Sequence, residues 1–345
     1  MKETIIIIVS VIFLLLMNGC ISNQFEKISV QDINNSINKG INFLYENQLD
    51  YGEFKTFACS DLLMQNCSFD SSPFITTFVL YSIKNIKNEK VEVMTNKAID
   101  FLLSEQESGG VWRYWSSRST KHSYISPDFD DISVISAILV LYNQSFDENI
   151  KLFDEYRNEN GIIYTWLKDK SNNEIDCEVN SNTLFYFGLR NINDIKICDF
   201  INRHIVEEKY NCCIYCEDGE ADKNYLLLFY IVSRAYIHGN SCLGQIKKNI
   251  IYKTLILQKE DGSFGNDLDT AIALNTLLNF NYHGNEVNLG VNSLVQKQLI
   301  SGSWKKQVFY LDGMPNYYGS EELTTALAIE AMNKYLKSLT IDDSK

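Results

Sequence analysis

One heptapeptide recurs four times in this 345-residue chain, and it limits the possible folds more than any other feature of the sequence. The copies are Gln48-x-x-x-Gly52-x-Phe54, Gln106-x-x-x-Gly110-x-Trp112, Gln258-x-x-x-Gly262-x-Phe264 and Gln298-x-x-x-Gly302-x-Trp304. Each closes a stretch with apolar residues at helical spacing, over 33–48, 91–106, 246–258 and 287–298. The glycine ends the helix as a C-cap does, and the aromatic residue two positions on packs back over the turn. Self-similarity at a fixed period is the mark of a repeat architecture. A chain with only 3 prolines has few obstacles to long helices.

A second kind of segment follows, beginning with an acidic residue and continuing as an apolar, Thr/Ser/Ala-rich run. Six such segments start at Asp70, Asp128, Asp176, Asp222, Asp267 and Glu321, separated by 45–58 residues. The acidic or Ser residue is an N-cap signal. In the segment over 128–142 the apolar residues run nearly all round the helix, so it must be covered on every side. The preceding helices are amphipathic. Two degenerate copies of the outer helix are expected near 149–158 and 194–208, where the Gln motif is missing. The chain is therefore expected to be all-α, with six hairpins of one outer and one inner helix closed into a ring. A closed ring has no terminal repeat left to cap, so residues 31–340 are read as one domain.

The N-terminus reads as an address. Lys2 precedes an apolar run over 5–17 broken only by Ser10. Thirteen residues fall short of the roughly 20 that cross a bilayer as a helix and suit the apolar core of a signal peptide. Gly19-Cys20 at its end resembles a lipobox, although Met17 stands where Leu is usual and Glu3 dilutes the positive start. The reading is a signal peptide over 1–19, a lipid on Cys20, a linker to residue 30, and an exported, membrane-anchored protein. Outside a reducing cytosol the eight later cysteines are free to form disulfides, with Cys59 and Cys67 close enough to pair. Cys213-x-x-Cys216 has no second half to complete a zinc site, and the four histidines are scattered. A net charge of −13 repels phosphate backbones, so nucleic acid is excluded as a partner.

The Gln-Gly-aromatic repeat in a six-hairpin array resembles the α/α toroid of terpene cyclases and prenyltransferase β subunits, over about 31–340. Against that background Asp128-Phe129-Asp130-Asp131 is similar to the D-x-D-D motif of class II terpene cyclases. The resemblance implies that Asp130 protonates an isoprenoid alkene or epoxide, with Asp128 and Asp131 as supporting carboxylates. Packing like charges in an apolar cavity raises one member's pKa, which such an acid requires. The helix N-terminus acts against this by favouring the anion. A carbocation needs aromatic faces around it, and Trp112, Trp115, Tyr124 and Phe129 are the expected substrate-binding set. N-capping alone would also place acids here, as it does at Asp267 and Asp269. The resemblance implies no metal and no cofactor, and an apolar small molecule as partner.

Several features weigh against a cyclase. No residues remain for the second helical domain that class II cyclases usually pair with this toroid. Export would remove the chain from cytosolic prenyl diphosphates, although membrane lipids such as squalene would stay accessible. A prenyltransferase fits worse, since its zinc ligands have no counterpart, and the thioester signature of complement-like toroids is also missing. Two other functions stay open: a non-catalytic lipoprotein binding an apolar ligand or protein, and a polysaccharide-active toroid using Tyr164, Trp166, Asp176 and Glu178.

Overall fold

The computed structural model describes residues 28–209, 225–311 and 316–342. Cys20, its proposed lipid, Cys213 and Asp222 lie outside these residues. Among the described residues there are twelve α-helices and one small sheet. The outer helices are α1 (Val30–Asn47), α3 (Glu89–Ser104), α5 (Ile150–Glu155), α7 (Ile195–Val206), α9 (Lys247–Leu255) and α11 (Asn285–Lys297). The inner ones are α2 (Pro73–Ile83), α4 (Phe129–Leu141), α6 (Cys177–Leu189), α8 (Tyr225–Ile237), α10 (Asp267–Asn279) and α12 (Glu321–Asp342). Each inner helix packs on the next in this series, and α12 packs back on α2. The whole of α2 is buried, as its uniformly apolar sequence demands. Helix α1 instead buries one stripe, Ile33, Ile37, Ile41 and Leu44, at spacings of three and four.

In three of its four copies the heptapeptide joins one outer helix to the next through its Gln, whereas Gln106 instead accepts from Asp147 N. Gln48 Nε2 donates to Gly52 O within its own turn and to Met94 O of α3, both at 2.9 Å. Gln258 repeats this with Gly262 O and Glu286 O. Gln298 donates to Gly302 O and to Ser36 O of α1, so the last repeat is bonded to the first. The turn needs glycine. Gly302 has φ +89°, and a Cβ there would lie 2.5 Å from Lys39 O. Gly302→Ala is expected to cost roughly 1–3 kcal/mol from the backbone conformation alone, before the collision is counted. An unchanged urea midpoint would mean that the turn yields.

Three departures from the sequence expectations have physical causes. Helix α5 has only six residues, ending at Glu155, because the chain turns early through Arg157 and Gly161. The first inner helix begins at Pro73, capped by Ser72, and not at Asp70, whose carboxylate accepts from Trp115 Nε1 and Lys121 Nζ. The sheet was not foreseen. Its strands are β1 (Phe57–Cys59), β2 (Cys67–Phe69), β3 (Tyr310–Leu311) and β4 (Tyr317–Gly319), antiparallel in the order β2-β1-β4-β3. It ties the first interhelical loop to the last. Cys59 and Cys67 face each other across β1 and β2 and form a disulfide. A second disulfide joins Cys198 to Cys242, and Cys177 is also disulfide-bonded. Among the described residues no helix is long and apolar enough to cross a membrane.

Candidate active site

A cavity of about 310 Å³ lies where the N-termini of α2, α4 and α6 converge. Phe74 enters from the first turn of α2, Asp128, Asp130 and Asp131 from the start of α4, and Asp176 and Glu178 from the start of α6. Leu227 and Ile231 of α8 supply apolar wall. Phe309, Tyr310, Leu311 and Tyr318 reach it from the last loop and the sheet. Tyr310 stacks on Tyr318 with ring centres 5.0 Å apart and meets Phe74 edge-on at 5.5 Å. The Tyr310 hydroxyl is hydrogen-bonded to that of Tyr114, another lining residue. The result is an apolar, aromatic chamber with carboxyls concentrated at one end.

Local bonding fixes those carboxyls. Asp128 caps α4 by accepting from Asp131 N at 2.8 Å. Its backbone is held by an adjoining loop through Phe129 N to Thr165 O and Leu167 N to Pro127 O, both 2.8 Å. Asp176 caps α6 by accepting from Glu178 N and Val179 N. Asp130, one residue inside α4, has no capping role. Its Oδ1 accepts from Asn182 Nδ2 at 2.6 Å, and Asn182 Oδ1 accepts in turn from Arg234 Nη2 at 2.5 Å. The guanidinium is buried among Phe78, Phe185, Tyr81 and Tyr230. Arg234 thus fixes which end of Asn182 faces Asp130. Asp131 is 1% exposed, its carboxyl buried against that of Asp128.

Burial and mutual repulsion hold protons on this cluster. Asp130 is pushed up to about 7, chiefly by burial and then by the charge of Asp128, with the Asn182 hydrogen bond opposing. Asp131 is raised well above the ordinary carboxyl range by burial and then by its two neighbours. Glu178 is raised by burial, then by Asp176 and Asp130. Asp128 and Asp130 keep part of their surface open to the cavity although they lie deep in the protein. A carboxyl that holds its proton more tightly when folded favours the fold at low pH, and that contribution is lost as pH rises through about 7. Asp130→Asn should therefore gain roughly 1–3 kcal/mol at pH 8 and little near pH 4, the figure discounted for cavity solvent. Thermal unfolding at both pH values checks it. Equal effects at the two would refute the shift.

Asp128, Asp130, Asp131 and Trp115 of the expected set line the cavity, whereas Trp112, Phe129 and Tyr124 do not. Trp112 is fully buried in the repeat turn, its Nε1 donating to Leu102 O at 2.8 Å. Phe129 points outward onto Phe153 and Tyr156, because adjacent helix positions face about 100° apart. Tyr124 is 73% exposed, edge-on to Trp115. Of the separate carbohydrate set read from the sequence, Trp166, Asp176 and Glu178 line the same cavity as the aspartates and Tyr164 does not. Tyr310, Tyr318, Asn182 and Arg234 carried no local sequence signal. Asp269 forms a capping box with Asn266, and neither Asp267 nor Asp269 lines the cavity. Among the described residues no group of acids, histidines or cysteines is placed to hold a metal.

Comparison with solved structures places this architecture. The type II terpene cyclase MstE from Scytonema superposes with a TM-score of 0.67 at 14% identity, over 90% of this chain and all of that one. The fold is shared with terpene cyclases. The ent-copalyl diphosphate synthase from Streptomyces platensis matches at TM-score 0.57 and 14% identity, over 76% of this chain and 50% of that one. A possible GH105 family member from Klebsiella pneumoniae matches at TM-score 0.55 and 12% identity, over 90% and 94% of the two chains. No protein-family model matches the sequence, and no curated protein matches it.

Proposed function

We propose that this chain is a class II terpene cyclase-like enzyme built on a closed toroid of six helical hairpins. The observation that carries the reading is a carboxyl cluster holding protons near neutral pH at one end of an aromatic, apolar cavity. Asp130 gives its proton to the terminal alkene of a bound isoprenoid. The π electrons form the new C–H bond and leave a tertiary carbocation. The next alkene attacks that cation, closing a ring, and loss of a proton ends the sequence as a net isomerisation. Trp115, Tyr310 and Tyr318 present faces that stabilise the moving charge. Asn182, oriented by Arg234, fixes the Asp130 carboxyl and receives it as the anion after transfer. The export signal and Cys20 would anchor the toroid to a membrane, where apolar substrates collect.

A polysaccharide-active reading draws on Trp166, Asp176 and Glu178, yet the walls made by Phe74, Leu227, Ile231 and Phe309 offer a sugar few hydrogen bonds. A non-catalytic ligand-binding toroid would leave the protonated cluster without a task. Incubation with linear isoprenoids, followed by mass spectrometry for cyclised isomers, separates the three. The turnover rate should fall as pH rises through about 7, because the acid must be protonated. Ligand recovered unchanged would contradict the enzymatic reading.

A further inference from the structure

We infer that the ligand of this cavity is an uncharged isoprenoid of about three isoprene units, one that carries no diphosphate. The inference rests on the cyclase reading for its chemistry but on separate observations for its content. Proteins hold a diphosphate in three ways, and the described residues supply none of them here. The first is cationic side chains. The described lining holds five carboxyls and no Lys or Arg. Arg234 is buried beneath an aromatic layer and engaged with Asn182, while Lys121 is paired with Asp70 outside the lining.

The second way is a helix N-terminus, where free N–H groups meet the anion. Three inner helices begin at this cavity, and at each a capping side chain already takes one or two of the free N–H groups, at α4 and α6 a carboxylate that would repel the anion. Ser72 accepts from Phe74 N, Asp128 from Asp131 N, and Asp176 from both Glu178 N and Val179 N. The third way is a divalent cation bridging carboxylates to phosphate. Among the described residues the acids are not grouped to hold one. A diphosphate, with roughly two to three negative charges at neutral pH, would instead face Asp128 and Asp176.

Size sets the length. Close-packed organic matter takes about 20–25 Å³ per carbon. The described walls enclose about 310 Å³, room for about twelve to fifteen carbons, so a thirty-carbon chain would extend beyond them.

Fluorescence titration of the full chain tests this, because Trp115 and Trp166 line the cavity and report its occupancy. The probes are farnesol, farnesyl diphosphate with and without Mg²⁺, and squalene, with products followed by mass spectrometry. Farnesol should bind at least about tenfold more tightly than farnesyl diphosphate, since the anion would be set against the carboxylates of Asp128 and Asp176. It should also bind more tightly than squalene. Diphosphate binding that equals farnesol, or that appears on adding Mg²⁺, overturns the inference, and cyclisation of that diphosphate would leave the cyclase reading standing. Squalene binding more tightly than farnesol overturns the size limit. Farnesol bound but never cyclised upholds the ligand class and removes the enzymatic reading. Failure of all probes to bind overturns both.

Discussion

Asp130→Asn is expected to lower the cyclisation rate by about 10²–10⁴-fold or more, with substrate binding nearly unchanged. Loss of a positioned general acid typically costs that much. The effect should reach the upper end here, because an alkene is a very weak base and a bound isoprenoid would displace water from the cavity. The replacement preserves shape. The substituted amide presents the same Oδ1 to Asn182 Nδ2 and keeps the 2.6 Å hydrogen bond seen in the parent. It also removes a carboxyl that repels Asp128, so melting temperature above pH 7 should rise while activity vanishes. A capping role would produce the opposite pattern. Asp128 holds the cap hydrogen bond, so Asp128→Ala is the variant that should lose about 0.5–2 kcal/mol of stability. Full activity in Asp130→Asn, measured by product formation per enzyme, would remove Asp130 as the acid.

Trp112→Ala is expected to cost about 3–5 kcal/mol of stability, the usual range for deleting a buried large aromatic side chain. Trp112 is fully buried, packs edge-on to Phe146, and satisfies the carbonyl of Leu102 near the end of α3. Truncation would open a cavity and leave that carbonyl without its donor. Trp304 makes the same bond to Leu294 O, so it should behave alike. Trp115→Ala gives the contrast. Trp115 lines the cavity, so its loss should weaken ligand binding more than it weakens the fold. Urea unfolding and ligand titration on both variants check the pair. A Trp112→Ala protein with unaltered stability and impaired binding would reverse these assignments.

These two tryptophans show where sequence reasoning succeeded and where it failed. The repeat placed Trp112 over its own turn, and that is where it lies. Closeness in sequence to Asp130 suggested a second role in the site, which the turn forbids. Phe129 failed for a similar reason, since the turn of α4 that carries Asp130 and Asp131 to the cavity leaves Phe129 on the far side, against Phe153 and Tyr156. The Gln-Gly element was legible because both residues are demanded by geometry, a left-handed turn and a side-chain bond to the next outer helix. The third repeat hid because another side chain performs the task. Arg157 donates to Gly161 O at 2.6 Å and pairs with Asp194 at the start of α7, with Ile163 in the aromatic position. Asn182 and Arg234 were invisible for a different reason. They sit on successive inner helices, 52 residues apart, and only packing brings them together. Tyr310 and the last loop carry no pattern that links them to the first interhelical loop, which they meet in the sheet.

Isotope labelling tests the central claim most directly. The Asp130 proton exchanges with solvent, so the hydrogen that starts cyclisation must come from water. Incubation of the wild-type chain with a linear, uncharged isoprenoid in D₂O, followed by mass spectrometry of the product, reads that hydrogen. The account predicts a cyclised product with one deuterium on the carbon first protonated, and no such product from Asp130→Asn. A cyclised product without deuterium, or an isoprenoid recovered unchanged after binding, would contradict it.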